Sequence, residues 1–220
     1  MYDARNPPQK TPLSHYIRTG QKIDGFRPDS YKSSKGITPA QVRLGIEKSI
    51  SEPDRSLFRH YLGRSGQRFD MVSEGLLRYI TGARVFRESR NEFLGQIQRD
   101  LLAEADKLCG QSQEDYILGR EKPIKRFRKK FSNNRSIDFT SAFFSLGNSY
   151  IGMGANAYVE VNCITGGVSI TGNINYEIND WYRDVFDFED KIPGYQEFFG
   201  IAFEMVAHWS EAFDLSGRFR

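Results

Sequence analysis

Five acidic residues near the C-terminus are the side chains whose types and spacing could do chemistry. They follow a segment with the alternation of a strand and are Asp180, Asp184, Asp187, Glu189 and Asp190. Carboxylates that converge at the end of a strand can bind a divalent cation through oxygen ligands, or one of them can act as a general base. We call residues 180–190 the acidic segment and treat it as the candidate site.

Crowded carboxylates need a positive partner, because like charges held close together disfavour the ionised form of each. Arg183 is the only base within the acidic segment. The hypothesis is an active centre of Asp187 with Asp184 and Asp180, neutralised by Arg183 or by a bound divalent cation. The alternative is a solvated loop whose charges favour the start of a following helix. The glycine-containing spacing of an EF-hand loop is absent from the segment.

Other reactive residue types indicate no second site. His208 is the only histidine in the C-terminal half, and such a residue on a helix is more often packed or exposed than catalytic. Gly152 and Gly154 lack the Lys and Ser/Thr of a phosphate-binding loop. Cys109 and Cys163 have no C-x-x-C spacing, so we predict two separate, partly buried thiols and no zinc site, with a disulfide as the alternative.

A β-hairpin is predicted directly before the acidic segment. Apolar and polar residues alternate on both sides of the Gly-Gly turn at 166–167, which is a good hairpin signal. The opposite face of the second strand is polar and carries Thr171, Asn173 and Asn175. The residues predicted to face the core are Val168, Ile170, Ile174, Tyr176 and Ile178.

Helical spacing dominates the N-terminal half. Glycine stops and apolar residues at i, i+3 and i+4 predict several short helices and a long one from about Glu88 to Leu108. The same spacing predicts a helix from about Tyr195 to Trp209, after the acidic segment. The predicted fold class is therefore α+β: an N-terminal helical bundle followed by a small antiparallel β module with one packed helix.

A basic segment separates the two halves. Seven Lys or Arg residues and one Glu lie within residues 120–130, interleaved with Ile124 and Phe127. We predict a solvated linker over 120–136, with contact to phosphate groups as the alternative. The predicted domains are an extended arm over 1–36, the helical bundle over 37–119, this linker, and the β module over 137–220.

The bulk composition is that of a folded protein with a small excess of base. Of the 220 residues, 39% are hydrophobic and 14% aromatic, and the net charge is +3. Aromatic-rich chains can build a packed core, whereas a charge excess this small does not favour nucleic acid as a partner. The sequence has no run of about 18 apolar residues, and its N-terminus lacks the apolar region of a secretion signal.

Residues 138–219 resemble a module found at the C-termini of bacterial secreted polymorphic toxins and contact-dependent effectors. The resemblance lies in an aromatic lead over 139–148, the Gly-x-Val-x-Ile-x-Gly-x-Ile-x-Tyr spacing over 166–176, and the acids that follow. The same residues are similar to the catalytic region of colicin M-type bacteriocins, where an Asp-x-Tyr-Asp motif precedes a His-Arg pair. Here Asp184 and Asp187 match the two acids, Phe186 replaces the Tyr, and the His-Arg pair is missing.

This resemblance implies an antibacterial effector that is secreted without a signal peptide and acts in the cell envelope of a target bacterium. Its expected partners are a cognate immunity protein and a secretion machinery, and its expected targets are the bacterial membrane or a lipid-linked precursor. Two activities stay open: an envelope hydrolase that uses the acidic segment, and a membrane-disrupting toxin that depolarises its target. A third alternative is a non-enzymatic binding or immunity protein.

Overall fold

The computed structural model describes residues 44–45, 47–63, 65–110, 112–140, 146–182 and 201–219 of the chain. Its helices are α1 (Asp54–Leu62), α2 (Leu77–Gly82), α3 (Arg84–Leu108) and α4 (Gln113–Ile117). Its strands are β1 (Phe69–Asp70), β2 (Ile124–Asp138), β3 (Asn148–Asn162), β4 (Gly167–Tyr182) and β5 (Phe203–Arg218).

The strands form one mixed sheet in the order β1-β5-β4-β3-β2. The pairing of β3 with β4 is antiparallel and runs from Ile151 opposite Ile178 to Asn162 opposite Gly167. The two-residue β1 pairs with β5 in parallel. Because four of the strands are 15 or 16 residues long, the sheet dominates the described part of the chain.

Contacts along the outer pairs show that β2 and β5 also run antiparallel to their neighbours. Arg126 of β2 contacts Glu160 of β3, and Asn134 of β2 lies beside Gly152 of β3. From the first contact to the second, β2 advances by eight residues while β3 goes back by eight. The end of β5 reaches the hairpin turn, where the Phe219 amide donates to the Gly166 carbonyl oxygen. The pairs therefore advance in opposite directions along the chain.

The chain divides into two compact units that are discontinuous in sequence. The first unit comprises Met1–Ala83, Ile137–Ser149 and Asn179–Ala207. The second unit comprises Arg84–Ser136, Tyr150–Ile178 and His208–Arg220.

In the second unit, α3 covers one face of the long strands. Its buried stripe includes Phe93, Ile97, Leu101 and Ala105, which are at most 1% exposed and follow helical spacing. The predicted long helix is thus confirmed, with its start four residues earlier. Apolar burial of this kind contributes roughly 25 cal/mol per Å² of surface removed from water, so the stripe holds helix and sheet together.

The predicted hairpin register is confirmed. Burial alternates along β4, with every predicted core residue at most 4% exposed. Asn173 and Asn175 are exposed on the other face. A shift by one residue would exchange these faces, so burial of the apolar set fixes the register.

An aromatic cluster packs the first unit around the start of β5. Phe203 stacks on Tyr182 with ring centroids 5.0 Å apart, and His60 meets Phe203 edge-on at 4.4 Å. Phe69 of β1 is 5.8 Å from Phe203. These rings join α1, β1, β4 and β5 within this unit, because aromatic pairs of this geometry add to simple burial.

The predicted N-terminal helical bundle is wrong. α1 and α2 have nine and six residues, while α3 packs against strands of the second unit. An amphipathic helix must bury its apolar face, but its sequence does not say whether a helix or a sheet covers that face. The long helix was correctly located, but the sheet that it packs against was not predicted.

The predicted helix over 195–209 is wrong from Phe203 onward, where β5 runs to Arg218. The residues from Phe203 also satisfy a period of two, because Phe203, Met205, Ala207 and Phe213 are buried at odd positions. Helical spacing and strand alternation overlap in short apolar runs, and the longer alternation is the decisive pattern here.

The basic segment is mostly a strand, although a solvated linker was expected over 120–136. β2 begins at Ile124 and alternates between more and less exposed positions over its length. Lys is depleted in strands generally, and the many basic residues obscure the alternation of Phe127, Phe131 and Ile137. The strand is stable here because its inward basic residues find partners on α3.

The prediction of two separate thiols is wrong. Cys109 and Cys163 form a disulfide with their Cα atoms 5.3 Å apart, and both residues are 0% exposed. They are 54 positions apart in sequence. Their meeting follows from the packing of the C-terminal end of α3 against the tip of the β3–β4 hairpin, which spacing alone does not reveal.

Candidate functional site

Asp180 is the one predicted site residue that the structure describes. It lies near the C-terminal end of β4 in the first unit and is 5% exposed. Its Oδ2 accepts a hydrogen bond from the Ser149 hydroxyl at 2.6 Å, and its Oδ1 accepts from the Trp181 amide at 2.8 Å. A buried carboxylate requires such partners, so the start of the acidic segment is fixed in place.

The Ser149 hydroxyl lies between two acceptor oxygens at this end of β4. Its Oγ lies 2.6 Å from Asp180 Oδ2 and 2.7 Å from the Leu146 carbonyl oxygen. A hydroxyl has one proton to donate, while both of these oxygens are acceptors when Asp180 is ionised. A single hydroxyl proton therefore serves two short contacts, which ties Ser149 to both the Leu146 carbonyl and Asp180.

The remaining predicted site residues, Arg183, Asp184 and Asp187, lie outside the described residues, as do Glu189 and Asp190. Their convergence with Asp180 and the divalent cation they could hold therefore stay predictions. Within the part of the chain that the structure describes, no three His, Cys, Asp or Glu side chains are grouped as a metal site requires.

A polar cluster in the second unit was not predicted. Arg90 on α3 forms a two-pronged ion pair with Glu211 on β5: Arg90 Nε lies 2.9 Å from Glu211 Oε2, and Arg90 Nη2 contacts Glu211 Oε1. The Tyr176 hydroxyl donates to Glu211 Oε2 at 3.3 Å. Glu211 occupies an inward position between Trp209 and Phe213, which is the sequence signal that could have revealed it.

The cluster shifts the titration of all three groups. The hydrogen bond from the Arg90 guanidinium, followed by its charge, holds the pKa of Glu211 below its usual range, although burial acts in the opposite direction. The same hydrogen bond raises the pKa of Arg90. Burial and then the Glu211 carboxylate raise the pKa of Tyr176, so this phenol stays protonated. A neutralised pair beside a protonated phenol is suited to holding α3 on the sheet.

The basic residues of β2 divide between two directions. Inward-facing Lys129 and Arg135 form ion pairs with Glu104 and Glu92 on α3, and Arg135 also donates to the Ser89 hydroxyl. On the other face, Arg126 pairs with Glu160 of β3. The basic segment itself contains one Glu, and the acids that pair with its charges come from α3 and β3.

An open polar cleft of about 600 Å³ lies on the second unit at the hairpin end of the sheet. It crosses four strands, and its polar lining includes Glu160, Ser169, Ser216 and Arg218. No sequence motif predicts it, because its lining is divided among four strands and no strand contributes more than three of the residues.

No known protein family and no curated protein matches the chain. Two crystal structures of pectocin M2 show a partial likeness. One is 21% identical and covers 46% of this chain and 35% of its own, with a TM-score of 0.26. The other is 19% identical and covers 44% and 38%, with the same TM-score of 0.26.

The match thus spans little more than a third of the pectocin M2 chains. A TM-score of 0.26 is too low for a shared fold, so any functional conclusion depends on this chain's own residues. Among the described helices, none combines the length and apolar character needed to cross a bilayer.

Proposed function

We propose that the chain is an antibacterial effector that acts in the cell envelope of competing bacteria and hydrolyses an envelope component through its acidic segment. The resemblance of residues 138–219 to bacterial toxin modules and to the colicin M-type catalytic region supports the class of activity. A cognate immunity protein and a secretion machinery are the partners that such an effector requires.

The observation that carries the envelope as the place of action is the Cys109–Cys163 disulfide. Both cysteines are fully buried and bridge α3 to the hairpin of the second unit. Disulfides persist in secreted proteins and in the bacterial periplasm, and they are rare in the reducing cytosol. A folded state that includes this bridge is suited to an oxidising compartment.

The geometry at the end of β4 supports the role of the acidic segment. Asp180 is too buried to meet a substrate directly, and its bonds to Ser149 and to the Trp181 amide hold the strand end. Asp180 is therefore a positioning residue in the proposal. Asp187 is the proposed general base, Asp184 its acidic neighbour, and Arg183 or a divalent cation the balancing charge.

Growth of a bacterium that expresses the chain with or without a periplasmic signal tests the proposal. We expect growth to stop only when the wild-type protein reaches the periplasm. Asp187→Asn is nearly isosteric and should restore growth without loss of the fold, because the amide cannot accept a proton as the carboxylate does. Asp214→Asn is the matched control, since Asp214 is exposed on β5 in the second unit and should leave toxicity unchanged.

A folded Asp187→Asn protein that remains fully toxic would show that hydrolysis by the acidic segment is wrong. Ion currents through pure lipid bilayers would then identify the membrane-disrupting activity. Wild-type protein that is harmless in both compartments would overturn the effector proposal and leave a binding or immunity protein.

A further inference from the structure

Four strands of the second unit supply the residues that line the polar cleft. Hairpin pairing places Glu160 opposite Ser169 and Asn162 opposite Gly167, so these positions form two adjacent rows across β3 and β4. The end of β5 lies alongside, because the Phe219 amide bonds to Gly166. The side chains that converge on the cleft come from β2, β3, β4 and β5: Ile124, Glu160, Asn162, Ser169, Ser216 and Arg218.

Two of these side chains are held in place by bonds outside the cleft. Arg126 Nε lies 2.7 Å from Glu160 Oε2, which orients the carboxylate while its other oxygen remains an acceptor. Asn162 Oδ1 accepts from the amides of Ile164 and Thr165 at 3.1 Å each. Because that oxygen is engaged in the turn, the Asn162 NH₂ group is the part that can donate to a ligand.

The hairpin turn beside the cleft is held by the surrounding chain. The Cys163 amide donates to the Pro123 carbonyl oxygen, and Gln113 Nε2 donates to the Ile164 carbonyl oxygen, both at 2.8 Å. The Cys109–Cys163 disulfide joins the same turn to α3. A binding surface that is rigid before the ligand arrives loses less entropy on binding.

The lining matches a ligand that carries several hydroxyl groups. It combines an acceptor (Glu160), donors (Asn162 NH₂ and Arg218), and two hydroxyls that do both (Ser169 and Ser216). A site for a simple anion would not include a carboxylate, and an apolar ligand would leave all of these groups unsatisfied. The aliphatic side chain of Ile124, 38% exposed, adds the apolar contact that the CH face of a sugar ring requires.

We infer that this cleft is a saccharide-binding site that holds the chain on a glycan of the cell envelope. The volume of about 600 Å³ is within the range of small-molecule sites, and its openness at the surface suits a unit within a longer polymer. The cleft lies wholly on residues of the second unit, and none of them belongs to the acidic segment. The inference takes the cell envelope as the place of action from the proposed function, but it does not depend on hydrolysis by the acidic segment.

Binding is measured with purified full-length chain in two assays, cosedimentation with purified murein sacculi and titration calorimetry with the tetramer of N-acetylglucosamine. Ser169→Trp fills the cleft from an exposed strand position, and we expect it to weaken binding by about tenfold or more. Asn175→Trp is the matched control, because Asn175 lies on the same strand and the same exposed face outside the cleft. It should bind as the wild type does.

A second variant, Glu160→Ala, removes the acceptor without filling the space and should also lower affinity. Unchanged thermal melting of each variant confirms that the fold is intact. The inference is overturned if the wild type binds neither glycan, if Ser169→Trp and Asn175→Trp bind equally, or if retention is seen only on vesicles that contain phosphatidylglycerol. Because these assays report binding alone, Asp187→Asn protein can be used in them, and a failure of the proposed hydrolysis would not affect the result.

Discussion

Arg90 and Glu211 connect the long helix of the second unit to its last strand. The pair is partly exposed, with 26% and 37% of the two side chains accessible to solvent, so solvent screens part of its attraction. Tyr176 stacks on Trp209 beside it, with ring centroids 4.8 Å apart. The ion pair therefore sits at the margin of an aromatic cluster, where it favours one orientation of the helix over others.

Glu211→Gln should lower the free energy of unfolding by about 1 kcal/mol at neutral pH, since the amide keeps the shape but loses the ion pair. The pKa of Glu211 is depressed from its ordinary value of 4.5, so the stabilisation is fully present above that pH. It is lost as the pH falls through the lower folded-state pKa. The difference between the two proteins in chemical denaturation should therefore be constant above about pH 5 and shrink below pH 4.5.

Tyr176→Phe is the control for this experiment, because it retains the Arg90–Glu211 pair and removes only the hydroxyl. Its acid dependence should stay close to that of the wild type, because the Tyr176 hydrogen bond is the smallest of the effects that lower the pKa of Glu211. A difference between wild type and Glu211→Gln that persists unchanged at pH 3 would contradict the assigned role of the ion pair.

Gly172 allows β3, β4 and β5 to approach closely. A Cβ at this position would overlap the Asn156 carbonyl oxygen and lie 2.8 Å from Phe213 Cζ. Gly172→Ala should therefore lower the free energy of unfolding by about 1–3 kcal/mol, the usual cost of overpacking. Gly154→Ala on the neighbouring strand meets no heavy atom within 4 Å and should be neutral or stabilising. Equal melting temperatures for the two variants would show that the strands are less closely packed than described.

At the scale of elements, β2 is a strand whose two faces serve different purposes. Lys129 and Arg135 bond to α3, whereas Arg128 lies over the ring of Tyr158 at 4.6 Å on the exposed face. Since β2 is at the end of the strand order, its charges also discourage edge-to-edge pairing with another chain.

Substitutions on each face of β2 should separate its contacts with α3 from the role of its exposed charges. The pair Lys129→Gln and Arg135→Gln should lower the free energy of unfolding by about 1–2 kcal/mol, because bonds to Glu104, Glu92 and Ser89 are lost. The pair Arg128→Gln and Lys130→Gln removes the same charge from the exposed face and should change the free energy of unfolding by less than about 0.5 kcal/mol. Urea denaturation of both double variants measures the contrast, and equal losses would contradict it.

Local patterns predicted those elements whose signal is strong and unambiguous. Alternation between Val168 and Ile178 predicted β4 and its buried face, and helical spacing with a glycine stop predicted α3. β2 and β5 were missed because their decisive partners are distant in sequence. The acids that neutralise β2 are on α3 and β3, and the alternation of β5 overlaps a helical pattern that begins before Phe203.

At the scale of the whole molecule, the candidate site was only partly predictable. The composition of the acidic segment is visible in sequence, and the structure gives Asp180 a fixed position near the end of β4. The cleft and the Arg90–Glu211 pair were not predictable, because Ile124 and the end of β5 are each more than 30 residues from the cleft residues of the β3–β4 hairpin that they join, and Arg90 is 121 positions from Glu211. Such sites depend on tertiary pairing, for which a single sequence contains no direct signal.

The disulfide is the whole-molecule feature with the clearest consequence for where the protein is stable. It closes a loop with a sequence separation of 54, which contains α4, β2 and β3, and closure of a loop of that length disfavours the unfolded chain by about 4 kcal/mol in the entropic account. Replacement of Cys109 and Cys163 together by alanine should lower the free energy of unfolding by about 2–4 kcal/mol. Dithiothreitol should lower the melting temperature of the wild type and leave that of the double variant unchanged, as measured by circular dichroism. If the melting temperature of the wild type does not change with reductant at equilibrium, the disulfide does not stabilise the fold. The main argument that the protein acts in an oxidising compartment would then be lost.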